Sequence, residues 1–266
     1  MAMTIGKSMG LFWFYVVRYR RNLVFLNLEL AYGHEKTKRE RYRIAKDNFI
    51  HYGLNLVEFL RLPSFTDQDF KRTINIRDTR SIDRALKKGK GVILILGHYG
   101  NWDMAAIAQA RAGFDCHIIT KKAQQQSVDA FWQGIRKEMG VHFLPNEGSA
   151  FKILRLLKKN KIVVMIFDQR MRGKNGIRVN FFNRPAKTMK AVSLIAMKMD
   201  SPVIPVFIWR EGGIHIYETG PEIPLLHGST EEDTMRLSSQ RYNDVLEAFI
   251  RKHPEQWLWI HDRWKL

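Results

Sequence analysis

The sequence predicts an α/β fold: a single domain with a largely parallel central sheet flanked by helices, preceded by N-terminal membrane-associating helices. Three observations predict it. From residue 92 onward, short runs rich in β-branched residues alternate with stretches of helical periodicity, the rhythm of a parallel sheet covered on both faces. No low-complexity linker, internal repeat or compositional break divides the chain. With 266 residues, 45% of them apolar, it can bury a full-sized core. The expected division is a membrane-associating segment over residues 1–32 and one domain over residues 33–266.

Residues 9–17 (MGLFWFYVV) are apolar and run straight into Arg18, Arg20 and Arg21. A spanning helix needs about 20 apolar residues, and a signal peptide carries its charge before the apolar run. With residues 23–30 (LVFLNLEL) following, the segment reads as an interfacial helix, its aromatics in the headgroup layer and its arginines on lipid phosphates. An ordinary helix docked on the domain is the equal alternative. Residues 36–60 carry Tyr42, Ala45, Phe49, Tyr52, Leu56 and Phe59 at steps of three and four, which makes one helical face, with Pro63 marking the exit. Strands are then expected at 92–96 (VILIL), 116–119, 162–167 (IVVMIF) and 203–208 (VIPVFI), with further ones at 177–182 and 214–218. Helices are expected at 103–112, 127–139, 149–159, 189–199 and 231–252.

A total of 44 Lys and Arg against 26 Asp and Glu leaves a net charge of +18, so the surface must attract something anionic. Acidic lipid and nucleic acid both qualify, but the basic residues are dispersed and no nucleic-acid module is present, so no nucleic-acid partner is expected. The single cysteine, Cys116, precludes an intramolecular disulfide and suits a cytosol-facing chain. The nine histidines include no HExxH, and there is no G-x-S-x-G and no Gly-rich phosphate loop, so neither a metal nor another cofactor is expected.

The chemistry concentrates in Gly97-His98-Tyr99-Gly100-Asn101-Trp102-Asp103, which follows the strand VILIL and precedes a helical pattern. The carboxyl end of a strand is where open α/β sheets bind ligands. Gly97 and Gly100 permit a tight turn that brings His98 and Asp103 together. An Asp in the first helical turn can accept from the histidine, leaving the other ring nitrogen free to take a proton from an alcohol. On that reading His98 and Asp103 are the catalytic pair, and the turn around Gly100 and Asn101 contributes to substrate binding. Taken alone, His-x4-Asp reads more readily as a packed histidine and a helix-capping aspartate; its place at a strand-to-helix switch with two glycines, and the agreement of the rest of the chain, turn the reading to a catalytic pair. Asp168 and Gln169 end the strand IVVMIF, again at a carboxyl edge, followed by the basic Arg170, Arg172 and Lys174; they read as a polar edge of the site with a basic loop that binds the acceptor's phosphate or sugar, or as a solvated loop. Arg136 and Lys137 are candidates for the donor, or an exposed helix face. Lys187 and Thr188 read as an anion site at a helix N-terminus, or Thr188 as a simple N-cap.

Taken together, GHYGNWD, residues 146–159 (NEGSAFKILRLLKK), Asp168-Gln169, residues 179–188 (VNFFNRPAKT) and residues 201–210 (SPVIPVFIWR) resemble the late acyltransferases of lipid A biosynthesis. These belong to a superfamily marked by His, four residues, then Asp or Glu. The resemblance extends from about Arg21 to the closing His261-Asp262-Arg263-Trp264-Lys265. It implies attachment to the cytoplasmic face of the inner membrane, peripheral or monotopic, and an acyl thioester donor on acyl carrier protein or coenzyme A. It further implies a lipid acceptor, a lipid A precursor first and a lysophospholipid or other glycolipid second, with His98 as general base and Asp103 orienting it. Asp103 stands where the lipid A members more often carry Glu, and Asn183 and Lys190 where they often carry glycine.

Overall fold

The computed structural model describes residues 2–120, 125–146 and 148–265, apart from the side chain of Val128. Helix α1 (Ala2–Phe12) continues through one π-helical turn, passes left-handed Arg18 and Arg20, and enters α2 (Arg21–Tyr32). Helix α3 (Lys38–Arg61) starts at a capping box in which the Thr37 hydroxyl accepts from the Glu40 amide and Glu40 reaches back to the Thr37 amide. Next come α4 (Asp67–Thr73), β1 (Ile74–Asp78), α5 (Arg80–Leu86), β2 (Val92–Leu96), α6 (Trp102–Arg111), β3 (Cys116–Thr120), α7 (Gln126–Glu138) and β4 (His142–Pro145). The chain continues through α8 (Ala150–Lys158), β5 (Ile162–Ile166), β6 (Gly176–Phe181), β7 (Arg184–Met189), α9 (Ala191–Met199), β8 (Val203–Glu211), β9 (Ile214–Thr219) and α10 (Glu231–Ile250).

Seven strands form one sheet in the order β1-β9-β8-β2-β5-β3-β4. Neighbours from β8 to β4 are parallel, while β9 runs against β8 and β1 lies parallel to β9. The mixed α/β domain with a mostly parallel sheet is therefore the fold observed. All five residues of VILIL are buried, and they serve both faces: Ile93 and Ile95 join the core that includes Phe14, Phe49 and Trp257, while Val92, Leu94 and Leu96 join the core that includes Met104 and Ile107. Burial on both faces is why the run is continuous rather than alternating.

The structure departs from expectation in three places. Residues 184–189 are a strand: β6 and β7 form a separate antiparallel hairpin that turns on Phe182 and Asn183, both left-handed. Such a two-residue turn needs positive φ at both positions, and Asn tolerates it among non-glycine residues, so Asn183 suits its place. Strands β1 and β4 fall outside the expected set, being short and partly polar. On α3, Tyr42 and Leu56 are exposed, whereas Asn48, His51 and Glu58 are buried. Among the described residues no helix is long and apolar enough to cross a membrane. Helix α1 instead packs along α3, where Gly10 and Gly53 bring the two backbones so close that an added Cβ would meet main-chain atoms at 2.4 and 2.2 Å.

Candidate active site

Strands β2 and β5 are parallel neighbours, and Leu96 lies opposite Ile166. Two residues on, each chain leaves the sheet, so His98 and Asp168 emerge side by side at the carboxyl edge. The Asp168 carboxylate accepts from the His98 ring Nδ1 at 2.7 Å, from the His98 amide at 2.8 Å and from the Trp257 indole Nε1 at 2.8 Å. A carboxylate that stays ionised accepts only, so Nδ1 carries the hydrogen of that bond and Nε2 is left outside it. Burial alone would raise the Asp168 carboxyl. The adjoining His98 charge and the three hydrogen bonds outweigh it and hold the group below the ordinary carboxylate range. The Asp168 side chain is 1% exposed and that of His98 19%, so the pair presents one nitrogen to the outside.

Asp103 sits in the first turn of α6 and does not take the histidine's Nδ1. Its carboxylate accepts from Arg136 Nε at 2.8 Å. His98 Nδ1 thus bonds to Asp168 and not to Asp103 as the sequence suggested: strand register sets the first contact, while the helical turn aims Asp103 toward α7. Burial raises the Asp103 carboxyl, against the pull of Arg136 and, more weakly, of nearby His98. Arg136 is itself held: its guanidinium lies over the rings of Phe143 at 5.1 Å, Trp132 at 5.5 Å and Phe59 at 5.8 Å. The imidazole of His98 meets the edge of Trp102 at 5.2 Å.

The turn between the two ends is locked. Gly100 has φ +60°, and a Cβ there would lie 2.1 Å from the Ile208 carbonyl oxygen, so the position demands glycine. Its amide donates to Gln256 O, the Tyr99 amide to Gly97 O and the His98 amide to Asp168, so these three amides are engaged inside the protein. Asn101 caps α6 by accepting from the Met104 amide and gives its own amide hydrogens to Glu58. The Gly100 amide and the Asn101 side chain, both expected from the sequence to contribute to substrate binding, are held within the protein by these bonds.

Gln169 is exposed, with Nε2 3.4 Å from His98 Nε2. The Arg170 amide donates to His261 Nε2, and the Arg170 guanidinium to Lys265 O, while Arg172 and Lys174 are exposed beyond it. Lys187 and Thr188 lie in β7, and the helix that follows starts only at Ala191 with no side-chain cap. The Thr188 hydroxyl is fully buried and bonded by Arg263 and Asn243, so it neither caps a helix nor faces an anion.

Sequence reasoning takes the C-terminal segment as the end of the resemblance and gives it no part in the site. Trp257 and Trp259 are buried, Leu258 N donates to His98 O, and Asn27 of α2 donates to the carbonyls of Trp259 and His261. The WLWI run announces packing, but its indole contact with Asp168 depends on a chain reversal that no local pattern carries. Among the described residues, no group of three or more His, Cys, Asp or Glu side chains is placed to hold a metal ion.

A family model described as bacterial lipid A biosynthesis acyltransferase matches residues 1–266. The chain is 25% identical over 218 residues to the phosphatidylinositol mannoside acyltransferase of Mycobacterium tuberculosis strain H37Rv, a match covering 80% of this chain and 67% of that protein. It is 23% identical over 181 residues to the lipid A biosynthesis acyltransferase of Haemophilus influenzae, covering 67% of this chain and 55% of the other. With the lipid A biosynthesis palmitoleoyltransferase of Escherichia coli K12 it shares 20% identity over 265 residues, 98% of this chain and 84% of the other.

Proposed function

The chain belongs to the bacterial lipid A biosynthesis acyltransferase family and is an O-acyltransferase acting on a lipid acceptor; on that premise we propose a direct transfer from an acyl thioester to a sugar hydroxyl of an anionic glycolipid, with His98 as general base and Asp168 orienting it. The observation that carries the reading is the His98–Asp168 pair, an imidazole with one nitrogen fixed by a buried carboxylate and the other left outside that bond. His98 Nε2 takes the proton of the acceptor hydroxyl, whose own pKa is far too high for it to ionise unaided. The oxygen attacks the thioester carbonyl, the C–S bond breaks as the tetrahedral intermediate collapses, and the leaving thiolate takes the proton back from the imidazolium. Asp168 stabilises that imidazolium without itself becoming protonated.

The amides of His98, Tyr99 and Gly100 are engaged, which leaves a side chain or an amide beyond Gly100 for the oxyanion. Gln169 stands beside Nε2 and the basic run Arg170, Arg172 and Lys174 follows it, a set suited to an acceptor that carries phosphate. The acceptor we favour is a lipid A precursor. A phosphatidylinositol mannoside is the second reading, favoured by the 25% identity to the mycobacterial enzyme. The donor is acyl carrier protein or coenzyme A.

Membrane attachment is part of the proposal. On α1 the exposed Ile5, Met9 and Phe12 recur at steps of four and three, Val16 in the π-helical turn and Tyr19 just after it are exposed as well, and the exposed Arg18 and Arg20 adjoin them. That stripe suits burial in a headgroup layer of anionic lipid at a cytoplasmic membrane face. Purified protein offered labelled palmitoyl-coenzyme A, or the same chain on acyl carrier protein, is expected to pass label to a lipid A precursor or a phosphatidylinositol mannoside in anionic vesicles. Label passed to neither acceptor from either donor overturns the reading.

A further inference from the structure

One face of α3 is polar where a docked helix is ordinarily apolar. Asn48, His51, Asn55 and Glu58 recur at steps of three, four and three, so they share a face. Asn48, His51 and Glu58 are buried, and groups of this kind are costly to bury unless they are satisfied. All four engage the segments that frame the active site. Asn48 Nδ2 donates to the carbonyls of Glu255 and Trp257. His51 Nε2 and Asn55 Nδ2 both reach the Gly100 carbonyl, at 2.9 and 2.8 Å. Glu58 accepts from Asn101 Nδ2 at 2.8 Å, from His215 Nε2 at 3.0 Å and from both terminal nitrogens of Arg210, whose Nη2 also donates to Asn55 Oδ1. Arg210 is tied in turn to Gln256 through main chain and side chain, and Gln256 O holds the Gly100 amide.

These bonds converge on two residues, Gly100 and Asn101, which stand between His98 at the end of β2 and Asp103 at the start of α6. A buried ion pair can often be replaced by apolar side chains without loss of stability, so stability alone does not account for the charged arrangement. We propose that Glu58, His51 and Asn55 are positioning residues for acyl transfer: they fix the Gly100–Asn101 turn and thereby the spacing between the His98 imidazole and the Asp103–Arg136 pair. None of them touches a reacting atom. The proposal rests on the acyl-transfer reading for its consequence in turnover, but not for its consequence in the turn itself.

Two nearly isosteric variants of the full chain test it. Asn55→Asp keeps an acceptor for Arg210 and turns an oxygen toward the Gly100 carbonyl; Glu58→Gln keeps the shape and removes the charge. In either, hydrogen exchange of the amides over residues 98–104 is expected to quicken by about ten-fold or more, while exchange in β5 stays at the wild-type rate. With palmitoyl-coenzyme A and the acceptor that supports wild-type turnover, kcat is expected to fall by about ten-fold with KM unchanged, as a small misplacement of reacting groups produces. The pH dependence of kcat is expected to keep its midpoint, because Asp168 is intact. His51→Gln, which retains a donor, is expected to recover most of the turnover that His51→Leu loses. If Glu58→Gln fails to fold, Asn55→Asp decides alone. Folded Asn55→Asp with wild-type exchange over residues 98–104 overturns the proposal, as does a raised KM at constant kcat. Exchange needs no acyl substrate, so failure of the transfer assay in the wild type would sink the acyl-transfer reading and leave the exchange result to judge the network.

Discussion

The two ends of the GHYGNWD segment are built differently. At the His98 end the chain leaves a parallel strand, and the side chain meets a carboxylate seventy residues away that left the neighbouring strand in register. At the Asp103 end the chain enters a helix, and the side chain meets an arginine from α7 caged by three aromatic rings. The first end leaves a ring nitrogen open, whereas the second is closed on itself. A short sequence motif therefore marks a candidate site without saying which of its members touch.

The strongest way to break the comparison is to remove the open end. His98→Ala is expected to lower kcat by on the order of 10²- to 10⁴-fold in protein that still folds, and Asp168→Asn to come close to it, because the wrong tautomer then competes. Steady-state turnover, with circular dichroism to confirm folding, checks both. The closed end should matter less: Asp103→Asn is expected to cost about ten-fold, since it loosens Arg136 but leaves the base and its partner in place. A loss matching that of Asp168→Asn would erase the distinction between the two ends. Smaller again is Trp257→Phe, which takes one of three donors from the Asp168 carboxylate; a fall in kcat of about three- to ten-fold is expected, with a lower melting temperature from the lost packing.

The polar face of α3 also shapes stability toward acid. Burial, aided by the Arg210 charge, pushes His51 from 6.5 down to about 3, so the folded protein holds it neutral. Above pH 6.5 both folded and unfolded states carry it neutral and it contributes nothing to the pH dependence. Between pH 6.5 and about 3 the unfolded state binds the extra proton, so stability falls as pH falls, by up to about 1.4 kcal/mol per pH unit. Denaturant titrations of wild type and His51→Gln at pH 7 and pH 5 are expected to differ in slope, with the variant losing less on acidification.

How much of this was legible follows from what local pattern can carry. The buried runs VILIL and IVVMIF declared strands because apolar β-branched residues fill both faces. RPAKTM did not, since Pro185 and two basic residues look like loop until they are paired with β6. On α3 the apolar count drew the buried face through Tyr42 and Leu56, which are exposed, and missed a polar stripe that burial makes valuable only once Gly100 and Arg210 arrive from elsewhere. Asp168 was legible as a residue at a carboxyl edge, but its pairing with His98 needs the register of β2 against β5. Register between strands seventy residues apart is a property of the folded sheet.

The central claim is that His98 works with Asp168 rather than with Asp103, and double-mutant cycles in kcat test it most directly. If His98 and Asp168 act as one unit, the double variant His98→Ala with Asp168→Asn is expected to be hardly slower than His98→Ala alone, whereas the losses from His98→Ala and Asp103→Asn multiply. The reverse pattern, multiplication with Asp168 and non-additivity with Asp103, would contradict the account.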